Sequence, residues 1–440
     1  MKKMLIVLTI LLVFVSACSL QSSTTPPATE TVQPTVTVLP VVTQTPAPTT
    51  TSLATVPVVS EQCIPLAGSP FSGVLQGTIV FDDNSSFSMI LKRRSELRIP
   101  EQPNQKNSVF TPFVSPDNKY VAYEQQYSDD YHLVVRQADG SIVKNYGESD
   151  LGDSLKNLGG IYASYSTQWV NDDSILIRTN DFETSIKLFL VDINTGSSRE
   201  LPTNFPELAS GKDINWGIDD RGMTSQIVNG ANVVYDPSLA RVVYPKTGGV
   251  TALYDTQQKL ELASMPLENA TSPAWSPDGQ FFSIIAKAPA SAGEPGDEFF
   301  IVARDVPEFK RLTYLGNLYP SVSVGAYNWS PDSRKIAFWM KAKDVEEYSL
   351  AVLDVNSGAV TNYCLTGIAS RNSELFSQSH PGPVVGTGKP IWSPDGTKLL
   401  ISQFDEAHKH IRVMLVDLAQ GQAFKLSQDV EPIGWLKEGP

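Results

Sequence analysis

A chain of 440 residues, 41% of them apolar, is long enough to bury a large core, and it sets 47 acidic side chains against 34 basic ones for a formal charge of −13. That balance argues against nucleic-acid binding, in which a basic footprint supplies most of the affinity. An acidic surface keeps a protein soluble and repels anionic lipid, and it specifies no partner.

Residues 1–18 read as an export signal: Lys2 and Lys3 form a basic start, Met4 to Val15 an apolar run, and Ser16-Ala17 a small-residue cleavage site. The run is too short to span a bilayer core of about 30 Å. The junction Val15-Ser16-Ala17-Cys18 resembles the lipobox of bacterial lipoproteins. That resemblance implies cleavage before Cys18, acylation of Cys18, and a protein held on the extracytoplasmic face of the cell membrane or envelope. Loss of Lys2 and Lys3 would leave 32 basic against 47 acidic residues, or −15. Residues 19–60 form a Thr/Pro-rich segment whose only charge is Glu30. Prolines at 26, 27, 34, 40, 46, 48 and 57 prevent helix and interrupt strand pairing, so a disordered linker is expected. Its reach runs from about 35 Å as a coil to about 130 Å as extended polyproline.

Residues 61–440 repeat one pattern: a bulky apolar residue, a tight polar turn, then an apolar strand. The plainest copies are Trp275-Ser276-Pro277-Asp278-Gly279, Trp329-Ser330-Pro331-Asp332-Ser333 and Trp392-Ser393-Pro394-Asp395-Gly396. Weaker copies start at Val114, Trp169 and Tyr235, the last with an alternative start at Trp216 and Asp219-Asp220. Ser-Pro-Asp-Gly encodes a type I turn, with Pro pre-setting the second position and Gly free to take positive φ at the end. A second hairpin follows in each unit, as at Asp192-Ile193-Asn194-Thr195-Gly196, Asp354-Val355-Asn356-Ser357-Gly358 and Asp417-Leu418-Ala419-Gln420-Gly421. Short, evenly spaced strands without a helical period predict an all-β fold, and a unit of roughly 40 to 65 residues predicts a radial array.

These repeats resemble the WD40-like PD40 repeat of TolB-type β-propellers over about residues 75–440. The resemblance implies four-stranded blades around a channel, with each Trp between neighbouring blades. At the C-terminal end Pro432-Ile433-Gly434-Trp435 looks like the approach to a further repeat, and Gly77 to Phe81 looks like the strand that should follow it. A blade shared by both termini removes an open sheet edge. With six internal units it predicts seven blades, six or eight being the alternatives, where TolB-type proteins have six. With Cys18 assigned to lipid, Cys63 and Cys364 remain as an even pair in an exported chain, and a disulfide between them is expected. Closing so long a loop contributes up to about 5 kcal/mol in the chain-entropy model.

Catalytic signatures are few. No Gly-x-Ser-x-Gly elbow of an α/β-hydrolase occurs. A glycosidase needs two carboxylates in a cleft; Asp172-Asp173 and Asp219-Asp220 are candidates, although both fit solvated turns. His408 and His410 share a strand face beside Lys409 but lack a third metal ligand. The Asp-x-Asn-x-Gly strings at Asp192 and Asp354 resemble calcium loops without the closing Glu, and hairpin turns account for them. Five of the seven Trp fall in the repeat slot, leaving Trp216 and Trp339, and Trp216 is the better ligand candidate together with Asp219 and Asp220. The sequence therefore predicts a lipid-anchored propeller without cofactor or metal that binds a protein, peptide or glycan. The alternative is an envelope glycan hydrolase or lyase with carboxylates in the channel. Replacing Cys18→Ser is expected to abolish lipid labelling and move the protein to the soluble exported fraction; retention in the membrane pellet would refute the lipobox assignment.

Overall fold

The computed structural model describes residues 58–69, 71, 73, 75–82, 87–90, 96–98, 113–127, 130–151, 164–180, 186–209, 233–267, 270–289, 295–345, 347–367, 388–405, 410–428 and 431–438. All belong to one compact unit, Thr55–Pro440. Cys18 and the 19–57 segment lie outside the described residues. Among the described residues no helix is long and apolar enough to cross a membrane.

The fold is an all-β propeller. Among the described residues the strands form seven sheets, here sheets I to VII. Sheet I orders Glu431–Leu436, Thr78–Asp82, Phe87–Ile90 and Glu96–Arg98 from first strand to last. Sheet II holds Phe113–Val114, Tyr120–Tyr127, Asp130–Gln137 and Ile142–Gly147; sheet III holds Ser164–Asn171, Ser174–Asn180, Ile186–Asp192 and Ser198–Leu201. Sheet IV holds Val234–Tyr235, Arg241–Lys246, Val250–Asp255 and Leu260–Pro266. Sheet V holds Thr271–Trp275, Phe281–Ala288, Gly296–Ala303 and Lys310–Arg311. Sheet VI holds Ser323–Trp329, Lys335–Lys341, Tyr348–Asp354 and Val360–Gly367; sheet VII holds Ile391–Trp392, Lys398–Asp405, His410–Asp417 and Gln422–Gln428. These four strands in each of sheets II to VII form an antiparallel meander from one continuous stretch of chain.

Middle strands are apolar on both faces because each sheet is covered on both sides. Ile336 to Met340 are all buried in succession, as expected of a strand sandwiched between neighbours. Buried clusters join sheet II to III through Val135 and Phe189, and III to IV through Leu188 and Tyr244. Leu253 and Phe282 join IV to V, Phe299 and Phe338 join V to VI, and Trp339 and Met414 join VI to VII. Sheet VII packs on sheet I through Leu415, Ile79 and Trp435, and sheet I on sheet II through Val80, Leu436 and Val121. Neighbour packing thus returns to its start.

Sheet I is built from both ends of the unit. Ile79 pairs with Trp435, Thr78 with Leu436 and Asp82 with Glu431, antiparallel. Close approach here requires glycine: Gly77 sits at φ +94°, and a Cβ on it would collide with the Leu436 carbonyl oxygen. Tyr235 pairs with Val242, which fixes the start of that repeat and sets aside the alternative at Trp216.

One strand was not expected. Val59–Glu61 pairs parallel with Val360–Gly367 as a fifth strand of sheet VI, so pairing begins within the stretch assigned to the linker. The same segment continues to sheet VII, where Leu66 bridges to Ala423 in parallel. Cys63 and Cys364 form a disulfide on this strap, with Cα atoms 4.8 Å apart and a sequence separation of 301. Removing residues 430–440 is expected to open sheet I and give aggregation or loss of the cooperative melt, whereas removing residues 19–55 leaves the melting temperature unchanged. A tail-deleted protein that melts like wild type would show that closure lies elsewhere.

Candidate functional site

The strands of each sheet end on two sides, and the chain closes each side differently. On one side lie the Ser-Pro-Asp turns and the second hairpin turns. Ser276 Oγ donates to Asp278 Oδ1 (2.6 Å) and accepts from Phe281 N (3.0 Å), while Gln280 N donates to Asp278 Oδ1 (3.0 Å). The same bonds recur for Ser115 and Asp117, Ser330 and Asp332, and Ser393 and Asp395. The fourth turn position takes positive φ throughout, at Asn118, Leu239, Gly279, Ser333 and Gly396. Sheet IV keeps the hydrogen bonds with the end residues exchanged. Asp236 Oδ1 accepts from Arg241 N (2.8 Å) and Ser238 Oγ donates to Asp236 Oδ2 (2.6 Å), so Asp236-Pro237-Ser238 does the work of Ser-Pro-Asp.

The repeat tryptophans pack in the clusters between their own sheet and the preceding one. Trp169 Nε1 donates to Phe113 O, Trp275 Nε1 to Val234 O and Trp392 Nε1 to Asn328 O, each in the preceding sheet. Trp329 Nε1 reaches Ser283 Oγ (3.0 Å). Trp435 instead donates to Gln76 O beside its own sheet (2.8 Å). Trp275 is half-buried, whereas Trp329, Trp392 and Trp435 are buried.

The hairpin aspartates are occupied in the same way. Asp192 Oδ1 accepts from Asn194 N and Thr195 N, and Asp354 Oδ1 from Ser357 N, which accounts for the calcium-like strings without an ion. Asp255 and Asp417 repeat the arrangement. Among the described residues no group of three or more His, Cys, Asp or Glu is placed to hold a metal ion. The side chains of His408 and His410 lie outside the described residues.

Two turns on this side carry further charge. Arg304 of sheet V reaches Asp236 (3.2 Å) and Ser238 Oγ (2.6 Å) of sheet IV. Between sheets II and III, desolvation and the adjacent Asp117 raise the carboxyl pKa of Asp172. Asp117 is itself driven up by burial, but hydrogen bonds from Lys119 and Ser115 outweigh this and leave it below the ordinary carboxylate value. Asp173 accepts from Asn194 Nδ2 (3.2 Å).

On the other side, connections run from the last strand of one sheet to the first of the next. Five are long: 99–112, 148–163, 202–233, 312–322 and 368–390. The described part of 202–233 folds onto sheet IV, with Ala209 N donating to Pro245 O and Thr247 N to Glu207 O, both at 3.0 Å. Phe205 stacks on Tyr244 with ring centroids 5.1 Å apart. Lys246 Nζ sits 2.9 Å from Glu207 and 3.0 Å from Glu261. Trp216, Asp219 and Asp220 belong to this connection and lie outside the described residues. Trp339 is not available to a ligand: it is fully buried between sheets VI and VII and donates to Gly388 O (2.7 Å). Glu298, unremarked in the sequence, is also fully buried. It accepts from Arg311, Thr313, Leu315 N and Gly316 N and so fixes the 312–322 connection.

No protein-family model matches the chain, and no curated protein matches it. Among solved structures, TolB from Acinetobacter baumannii is 12% identical with a TM-score of 0.42, covering 82% of this chain and 68% of that one. An oligogalacturonate lyase from Vibrio parahaemolyticus is 10% identical with a TM-score of 0.47, covering 80% and 86%. A protein from Lactobacillus plantarum is 9% identical with a TM-score of 0.43, covering 83% and 100%.

The lowered carboxyls set an acid limit to stability. Asp117, Asp192, Asp255 and Asp395 have folded-state pKa values below the ordinary one. Their contribution is complete above the unfolded value of about 3.9 and is lost as pH falls through the folded values. Asp172 has the opposite sign and offsets part of this. The melting temperature is expected to fall on acidification below about pH 4, and Asp192→Asn is expected to make that fall shallower. An unchanged profile in the variant would show that the turn carboxyls do not govern it.

Proposed function

We propose that this chain is a non-catalytic binding or scaffold propeller whose seven sheets are blades of one ring. Lipid on Cys18 holds it on the extracytoplasmic face of a bacterial membrane, and the 19–60 linker sets it off from that surface. The observation supporting binding is the contrast between the two sides. The turn side is closed by its own hydrogen bonds, whereas the strand ends on the other are joined by segments that are long in the sequence, and binding residues concentrate on loops carried by a rigid scaffold. The ligand class is a protein, peptide or glycan of the cell envelope, met by the 202–233 connection, with Trp216, Asp219 and Asp220 as contact residues.

One arrangement favours a second reading. Asp117 and Asp172 are neighbours whose pKa values are displaced in opposite directions, as a general acid and a carboxylate partner require. That pair would serve an envelope glycan hydrolase or lyase.

The test uses the exported full-length protein against solubilised envelope glycan and envelope peptides. Replacing residues 210–232 by a short Gly/Ser segment is expected to leave the melting temperature within a few degrees and weaken binding at least about tenfold, the effect of losing 1.4 kcal/mol. Trp216→Ala is expected to reproduce much of the loss. Undiminished binding in both variants removes the connection from the site. Release of glycan fragments by wild type but not by Asp172→Asn would replace the binding reading with the enzymatic one.

A further inference from the structure

The strap from Val58 to Leu66 touches the propeller mainly through backbone. Val360 N donates to Val58 O (3.0 Å), Gln62 N to Asn362 O (2.8 Å) and Ile64 N to Tyr363 O (3.1 Å) along the edge of sheet VI. On sheet VII, Ala423 N donates to Pro65 O (3.1 Å) and Ala67 N to Ala423 O (2.8 Å). Three side-chain bonds add to these: Ser60 Oγ to Val360 O (3.4 Å), Ser60 Oγ with Thr361 Oγ1 (3.5 Å) and Tyr319 OH to Glu61 Oε1 (2.8 Å). Apolar burial is limited: Ile64 is buried and Val59 is half-buried against the cluster of sheets V and VI, but Val58 and Leu66 are 67% and 58% exposed. A segment with few buried apolar contacts and surface hydrogen bonds sits at the low end of local stability.

It is also held covalently, by the Cys63–Cys364 bond. Cys63 and Cys364 are both exposed. The Val360–Gly367 strand bulges at Cys364, where pairing slips between Ser349 and Ala351 and φ reaches +56°. A left-handed backbone is uncommon for a residue other than glycine, and the bulge takes Cys364 out of the ladder against the middle strand. Ring closure does not pass through the strap: it runs through Thr78–Asp82 paired with Glu431–Leu436.

We infer that the Cys63–Cys364 disulfide is a reducible latch, and that its reduction releases the strap from the edges of sheets VI and VII while the ring stays closed. The reductant is an external dithiol. Its thiolate attacks one sulfur to give a mixed disulfide, and its second thiol then displaces the protein sulfur. The dithiol ends as its disulfide, and Cys63 and Cys364 gain two electrons and two protons as thiols. The freed edge strand, Val360–Gly367, then presents unpaired backbone groups, the condition that sheet proteins otherwise cover.

Hydrogen exchange on the full exported chain, read by peptide mass with and without dithiothreitol, tests this. Amides of Gln62, Ile64, Ala67, Val360 and Ala423 are expected to exchange at least about tenfold faster after reduction, as in a local opening. Those of Ile79, Val80 and Trp435 are expected to keep their protection, and reoxidation restores the strap. The double variant Cys63→Ser, Cys364→Ser is expected to show the open pattern without reductant; where that variant does not fold, the reduced wild type is read alone. Equal protection of the strap amides before and after reduction overturns the inference. So does parallel loss of protection at Ile79 and Trp435, which would make the strap part of the ring.

Discussion

The return of sheet-to-sheet packing to its start depends on the pairing of Thr78–Asp82 with Glu431–Leu436. In sheets II to VII the four meander strands come from one continuous piece of chain and pair locally; the strap strand Val59–Glu61 joins sheet VI from afar. Sheet I must bring together segments separated by nearly the whole unit, an ordering cost that grows only slowly with loop length. Against that cost stand Ile79, Val80, Trp435 and Leu436, all at most 1% exposed. These four residues face in two directions, Ile79 and Trp435 toward sheet VII and Val80 and Leu436 toward sheet II. Without them both neighbouring sheets would carry an uncovered apolar face.

The turns follow one hydrogen-bond rule with two spellings. A short oxygen at the first position must accept from the residue five along and meet a second polar side chain two along. Ser with Asp satisfies it in four sheets, and Asp with Ser satisfies it in sheet IV. Because the rule concerns oxygens and N–H groups, it tolerates the exchange, and a search for the letters alone undervalues the Tyr235 copy.

What the sequence makes legible is local. The Trp-Ser-Pro-Asp strings at 275, 329 and 392 announce their turns because side-chain chemistry and turn geometry coincide in consecutive residues. The shared sheet could be read from two half-repeats at opposite ends, since each half keeps its place on the same ruler. The strap could not: Val59–Glu61 is three residues long, lacks alternation, and its partner lies about 300 residues away in the sequence. Trp339 was open to misreading for a related reason. It lies in a strand covered on both faces, where the polar–apolar alternation that separates inside from outside is missing. Glu298 looks like any surface acid until the 312–322 connection supplies its partners.

The direction of the strap has a practical consequence. Val59 pairs in parallel with Val360, at the end of that strand next to the Asp354–Gly358 turn. The chain therefore joins the propeller on the side of the Ser-Pro-Asp turns. Lys437, one residue beyond the last strand, donates from its N–H to Asn118 O on that same side. Attachment directly at Val58 and at Lys437 would therefore meet the same side and leave the opposite one facing the solution.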